Sequence, residues 1–310
     1  MDGTDWVRID GSEGEGGGQM LRTALSLSLL TGQPFEMTHL RARRKKPGLQ
    51  PQHLTCVLAA AEVCGATVDG AKLGSQSLRF RPGPVRPGDY AFAIGTAGST
   101  SLVLQTLALP LALAPGRSVV TLRGGTHVPF SPAYHFLERQ WAVLLRRMGV
   151  DVELELLAAG YYPAGGGEVR ARIRPAASVA PLVLGPRGAL ERLEGLSTAS
   201  NLENAVAERQ QRQALRRLEA AGLAAGIETR GLPSHGKGTM LLLLAAFAGG
   251  GRACFTAIGA IHKRAETVAD EACEALLAFL ATRGAVDAYA ADQLLLPLAF
   301  ARGSSEFPVP

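Results

Sequence analysis

Two stretches near the amino terminus carry residue types suited to handling phosphate. Gly11-Ser12-Glu13-Gly14-Glu15-Gly16-Gly17-Gly18 follows the alternating segment Trp6-Val7-Arg8-Ile9-Asp10 and precedes Leu21, Leu25 and Leu29 at helical spacing. A glycine-rich loop between a strand and a helix presents unpaired backbone N–H groups and a positive helix end to an anion. Glu15 repels an anion directly, but it makes sense as the holder of a divalent cation that bridges to phosphate oxygens. Arg22, on the first turn or so of the helix, could reach the same phosphates. A tight turn with a solvated glutamate is the plainer alternative, because the loop matches neither G-x-x-x-x-G-K-S/T nor G-x-G-x-x-G.

The second stretch is Arg41-Ala42-Arg43-Arg44-Lys45-Lys46-Pro47-Gly48, in which five of the first six residues are basic. Pro47-Gly48 sets a turn before a helix that carries Gln52 and His53. Charge runs are often solvated faces, and that alternative stays open here. If three of these side chains meet phosphates of a single-stranded nucleic acid, binding falls with salt at a log–log slope of roughly −2, from about −0.7 per single-strand phosphate. Two further segments look like sites and are not read as such. Gly231 to Thr239 nearly spells a phosphate-binding loop, but Gly238 fills the slot of the metal-binding hydroxyl and an apolar strand follows where a helix is needed. His127 and His135 lack metal-ligand spacing and read as ordinary surface or helix-end residues.

The elements that must position these residues follow from periodicity. Helices are expected over 19–30, 52–64, 99–113, 133–148, 203–221 and 265–281, with strands between them. Helix–glycine–strand junctions recur at Gly65 and Gly149, which suggests an internal duplication, and a third of the same shape occurs at Gly284 after a longer interval. Pro181 and the turn Gly185-Pro186-Arg187-Gly188 mark the start of extra material. The expected organisation is an α/β fold with a repeated domain over 1–181 and 283–310, interrupted by a small inserted α/β domain over 182–282.

Bulk composition narrows the partners. With 310 residues, 47% of them hydrophobic, the chain can bury a large core. Aromatic residues make up only 5%, too few for a platform that stacks many bases at once, so a nucleic-acid contact should be short. The net charge of +5 favours an anionic partner. Cys56, Cys64, Cys254 and Cys273 follow no metal spacing and read as buried thiols. Met1-Asp2-Gly3-Thr4-Asp5 lacks the basic start of a signal peptide, and the apolar run Thr239 to Ala248 is too short to span a bilayer; no membrane partner and a cytosolic location are expected.

Taken together, the motifs carry a resemblance. Ile9 through Arg22 is similar to the opening signature of the RNA 3′-terminal phosphate cyclases, as is Arg41 through Leu49 with Gln52-His53. So are Gly95-Thr96-Ala97-Gly98-Ser99 leading to Gln105, then Gly124-Gly125-Thr126, Tyr162-Pro163-Ala164-Gly165-Gly166-Gly167, and Tyr289-Ala290-Ala291-Asp292-Gln293-Leu294. The resemblance covers about residues 6 to 307. It implies conversion of an RNA 3′-phosphate to a 2′,3′-cyclic phosphate with ATP and a divalent metal, Mg or Mn. A histidine nucleophile takes AMP, AMP passes to the RNA 3′-phosphate, and the neighbouring 2′-OH displaces it. It also implies a large domain of three repeated α/β units, like the C-terminal domain of a bacterial translation initiation factor, with a smaller inserted domain.

Residue by residue, the resemblance assigns Glu15 to the metal, and Gln19, Arg22, Arg41, Arg44, Gln52 and His53 to phosphate or RNA contacts. Gln105, Pro132, Tyr289, Ala290, Ala291, Asp292 and Gln293 would form the nucleotide pocket, with Tyr289 and Pro132 flanking adenine. In the family the nucleophilic histidine follows a Ser/Thr-x-His-x-x-Thr-like pattern well beyond the segment matched by Glu306-Phe307. His39, His53, His127, His135, His235 and His262 all lie upstream, so these 310 residues are expected to bind ATP weakly and to form no adenylylated intermediate. Arg43, Lys237 and His262 are smaller departures from the family pattern. The alternative is a non-catalytic cyclase-like protein that binds structured RNA in ribosome biogenesis, a class that also lacks the histidine. Enolpyruvyl transferases share a repeated fold, but the basic run and the adenine-pocket match argue against them.

Overall fold

The computed structural model describes residues 6–14 and 16–310. The chain divides into two compact units, one of Met1–Gly124, Val150–Glu155 and Val169–Ala177, the other of Gly125–Gly149, Leu156–Glu168 and Ser178–Pro310.

The first sheet is built from β1 (Val7–Asp10), β2 (Phe35–Thr38), β3 (Thr67–Asp69) and β4 (Leu78–Arg81), in the order β1-β2-β4-β3. β1 and β2 run parallel, with Val7 opposite Phe35 and Asp10 opposite Thr38. A parallel pair needs a crossover, which α1 (Gln19–Thr31) supplies. α2 (Pro51–Cys64) then starts on a proline, whose missing N–H is no loss at a first helical position. It ends at Gly65, held at φ 63° in the left-handed region that glycine adopts without steric cost.

The next stretch repeats this plan. β5 (Asp89–Ala93), α3 (Thr100–Ala112) and β6 (Ser118–Gly124) form a second parallel pair with its crossover. Helical segments α4 (Tyr134–Phe136) and α5 (Ala142–Arg147) flank a π-helical turn over Leu137–Trp141. β7 (Val152–Ala158) and β8 (Gly167–Ile173) complete a sheet in the order β5-β6-β8-β7, the same order as the first. The junctions at Gly65 and Gly149 thus precede equivalent strands, β3 and β7. In the first unit α1, α2 and α3 pack on one another, and Leu21, Leu25, Val57, Leu104 and Leu107 along them are fully buried. Ser26 Oγ donates to the Thr106 carbonyl at 2.9 Å across α1 and α3.

The third sheet is different in plan. β9 (Leu190–Ser200), β10 (Gly226–Gly231), β11 (Gly238–Phe247) and β12 (Arg252–Ile258) are ordered β10-β9-β11-β12. β9 is parallel to β10 through α6 (Asn204–Ala220) and antiparallel to β11. Met240 through Ala245 on β11 are buried on both faces, which is why that strand reads as an unbroken apolar run. Leu218 of α6 and Val268 and Leu276 of α7 (Ala265–Leu280) close a core over Leu241, Leu243 and Phe255. A paired guanidinium and carboxylate, Arg209 and Glu266, join α6 to α7 with two contacts of 2.9 Å. Ala285-Val286 makes an isolated bridge from Val286 to Arg252, followed by α8 (Ala288–Ala299). The segment after Gly284 is therefore not a strand of the expected shape. Its pairing is limited to Arg252 on one side and Pro308 on the other before α8 begins, too short a stretch for a strand.

All four cysteines are buried and free. Among the described residues, no helix is long and apolar enough to cross a membrane.

Candidate functional site

The first unit gathers the basic residues at the amino end of α1. The loop leaves β1 close against β2, where a Cβ on Gly11 would stand 2.8 Å from the Thr38 carbonyl oxygen. Asp10 anchors its start by accepting from the Ser12 N–H at 2.9 Å and the Ser12 hydroxyl at 2.7 Å. Gly14 and Gly16 both sit at φ 55°. Arg43 Nη1 donates to the Gly14 carbonyl at 3.0 Å, which ties the basic run to the glycine loop. Gly18 caps α1 without a side chain, and the first turn holds no acidic residue, so the helix end stays open to an anion.

Beneath this loop the side chains approach at distances only glycine permits. A Cβ on Gly17 would lie 2.8 Å from Arg44 Nη2; on Gly18 it would lie 2.2 Å from His53 Nε2 and 3.0 Å from Arg22 Nη1. Arg22, Arg44 and His53 therefore converge on the loop, as does Gln19, the first residue of α1. Arg41 occupies φ 54° and donates from Nη1 to the carbonyls of Lys46 at 2.7 Å and Gly48 at 2.9 Å. Its guanidinium thus clasps the turn that carries Arg43 and Arg44. Burial, then the charges of Arg41 and Arg22, hold the His53 pKa down to about 3, so its ring is neutral at physiological pH. His53 Nδ1 is buried without a hydrogen-bond partner. Gln52 turns elsewhere: its Oε1 accepts the Ser99 N–H at 2.9 Å and fixes the start of α3, the helix that bears Gln105.

The second unit holds Pro132 and the α8 residues. Asp287, 1% exposed, caps α8 by accepting the Ala290 N–H at 2.9 Å. Its other oxygen accepts from Gln140 Nε2 and from the Cys254 N–H, each at 3.1 Å. Gln140 belongs to the π-helical turn and Cys254 to β12, so one carboxylate fixes where Tyr289 to Gln293 begin. Burial raises the Asp287 pKa even against these donors. Tyr289 is 68% exposed.

His127 and His135 are not surface residues. His127 is 0% exposed; its Nδ1 lies 2.7 Å from Thr126 Oγ1 and its Nε2 2.9 Å from His135 Nδ1. A single proton satisfies the two facing nitrogens, so both rings are neutral; burial lowers their pKa values to about 3 and about 2. The reason for their burial is tertiary. The His127 ring stacks on Tyr161 at 5.3 Å, and a Cβ on Gly238 would stand 2.1 Å from that tyrosine ring.

Among known proteins, the family model described as RNA 3′-terminal phosphate cyclase matches residues 13–310. The chain belongs to the RNA 3′-terminal phosphate cyclase family. The RNA 3′-terminal phosphate cyclase of Methylococcus capsulatus is 48% identical over 98% of this chain and 86% of its own length. That of Pseudomonas fluorescens is 49% identical over 97% and 86%, and that of Trichormus variabilis 43% identical over 98% and 89%. Among solved structures, the enolpyruvyl transferase NikO from Streptomyces tendae superimposes with a TM-score of 0.29 at 17% identity, over 69% of this chain and 38% of that one, too weak a likeness to argue from.

Of the residues that the cyclase resemblance singles out, the first unit brings together Gln19, Arg22, Arg41, Arg44 and His53, and it ties Gln52 to the start of the helix that carries Gln105. The second unit contains Pro132 and the Tyr289 to Gln293 stretch. Glu15 lies outside the described residues. Among the described residues no group of three His, Cys, Asp or Glu side chains could hold a metal on its own. The sequence reading passed over Asp287 and Gln140. No local signal marks them, since their bond joins positions 147 apart.

Proposed function

We propose that this cyclase-family chain binds ATP and an RNA 3′-phosphate end for conversion to a 2′,3′-cyclic phosphate, by way of a histidine–AMP and an RNA–adenylate. The observation that carries the proposal is the packing of Arg22, Arg44 and His53 directly under Gly17 and Gly18 at an open helix end. Backbone N–H groups and guanidinium forks there suit tetrahedral phosphate, and a neutral His53 adds a donor without a competing titration. Adenylylation replaces a poor leaving oxygen by AMP, and attack by the adjacent 2′-OH is intramolecular, hence entropically favoured.

A divalent cation, Mg or Mn, fits a hard-ligand arrangement of one carboxylate, Glu15, with phosphate oxygens and water for the rest. When bound it would neutralise the departing pyrophosphate. Tyr289 and Pro132 would flank adenine, with Ala290, Ala291, Asp292 and Gln293 beside them. The domain reading that accompanies this is a repeated domain over 1–181 and 283–310, akin to the translation-factor fold, around an insertion over 182–282. The shared order of the first two sheets and the self-contained core between Leu193 and Phe279 support it. An ATP-consuming reaction at RNA ends fits the cytoplasm.

Incubation with ATP labelled at the α-phosphate is the test. A polypeptide that carries the family's C-terminal histidine should take an acid-labile covalent label, whereas a label on the 310 residues alone would place the nucleophile on one of their six histidines. Calorimetry supplies the second arm. No heat with ATP, beside tight binding of structured RNA, would replace this reading with the non-catalytic one.

A further inference from the structure

Three loops of the second unit are knitted side by side at one end of their strands. The first, Thr126–Tyr134, is closed by the Tyr134 N–H donating to the Thr126 carbonyl at 2.9 Å. The second, Tyr161–Gly165, is closed by the Gly165 N–H donating to the Tyr161 carbonyl at 2.7 Å. A parallel bridge, His127 to Tyr161, and the stacking of those two rings hold the loops together. The third runs from Leu232 to Lys237 and joins through the Ala159 N–H, which donates to the Pro233 carbonyl at 2.7 Å. Asn201 Nδ2 fastens it from within by donating to the carbonyls of Ser234 and Gly236.

What these tied-down loops present is unusual for a soluble surface. Phe130, at the tip of the first, is fully exposed and held at φ 62°, a conformation a bulky residue seldom takes. Tyr162, at the tip of the second, is 71% exposed. Both residues follow the bridged positions in sequence, three after His127 and one after Tyr161. His235 and Lys237 are exposed on the third loop, and the His235 side chain lies 3.6 Å from where a Cβ on Gly166 would stand. Two exposed rings on linked loops, with Lys237 next to the Gly238 that packs on the Tyr161 ring, suit a nucleobase and the phosphate that follows it better than they suit a protein surface. The scarcity of aromatic residues elsewhere limits such a contact to very few bases.

We infer that Phe130 and Tyr162 form a base-stacking surface for single-stranded RNA, with Lys237 against its backbone. The inference rests on the RNA-end reading above and adds a second, phosphate-independent contact to it. Stacking of one base accounts for about a tenfold gain in affinity.

The test uses the full chain and short single-stranded RNAs, with and without a 3′-phosphate, carrying 2-aminopurine near the 3′ end. Wild-type protein should bind them and quench the reporter. Phe130→Leu and Tyr162→Ala should each weaken RNA binding about tenfold and relieve the quenching. The preference for a 3′-phosphate and the heat of ATP binding should not change. Phe130→Trp, which keeps a flat ring, should restore binding, whereas a folding defect would not be rescued in this way. RNA affinity and quenching that stay at wild-type values in Phe130→Leu and Tyr162→Ala overturn the inference while leaving the RNA-end reading intact. So does a loss confined to ATP, which would assign the rings to adenine. Absence of any RNA binding by the wild type sinks both.

Discussion

Gly18 shows how closely the phosphate-binding reading depends on single atoms. Its φ of −80° would tolerate alanine, yet the new Cβ would stand 2.2 Å from His53 Nε2. Gly18→Ala should therefore displace His53, cost about 1–3 kcal/mol of stability and weaken binding of ATP and RNA 3′-phosphate together. Gly14→Ala makes the contrast, since its Cβ would meet nothing and only the φ of 55° is penalised, at about 1–2 kcal/mol. Urea unfolding beside ligand titration separates the two; equal binding loss in both would detach the effect from His53. That arginines would approach this loop was legible in the sequence, because glycines and basic residues stand out by type and spacing. The partner of Gln52 was not, because the Ser99 N–H that it accepts lies 47 positions away.

Whole elements are fixed by buried polar groups that local patterns do not reveal. The strand–helix–strand plan could be read from periodicity, whereas β2 has only four residues, Phe35–Thr38, too few to alternate visibly. His127 and His135 were misread for a related reason: a histidine looks alike in sequence whether it meets water or the Tyr161 ring. Their folded pKa values, about 3 and about 2, lie below the unfolded value near 6.5. Between these limits the unfolded chain takes up protons that the folded chain refuses. Their contribution to stability is complete above about pH 6.5 and falls as pH drops, at up to about 1.4 kcal/mol per pH unit for each ring. Urea midpoints should fall between about pH 7 and pH 5; a flat profile would mean that water reaches the rings. At the start of α8, Asp287→Ala removes a cap and strands the Gln140 and Cys254 donors. A loss of about 2–4 kcal/mol is expected, with weaker ATP binding, measured by denaturation and calorimetry.

For the molecule as a whole, the net charge of +5 matters less than its concentration in Arg41 to Lys46. Three phosphate contacts there predict a log–log salt slope of roughly −2 for RNA binding, and Arg44→Ala should flatten it by about 0.7. A slope near zero would leave the basic run as a solvated face. Family membership was legible from motifs spread over the chain, because each motif is local. The differing order of the third sheet was not, since strand order depends on pairings that no segment encodes alone. The Asp287 carboxylate has one more consequence, in time rather than in energy. It bridges to Gln140 across 147 positions and to Cys254 across 33, so the clasp can close only after most of the intervening chain has found its place. Loosening it should leave the refolding rate nearly unchanged and hasten unfolding, making this one side chain a brake on the native state's escape.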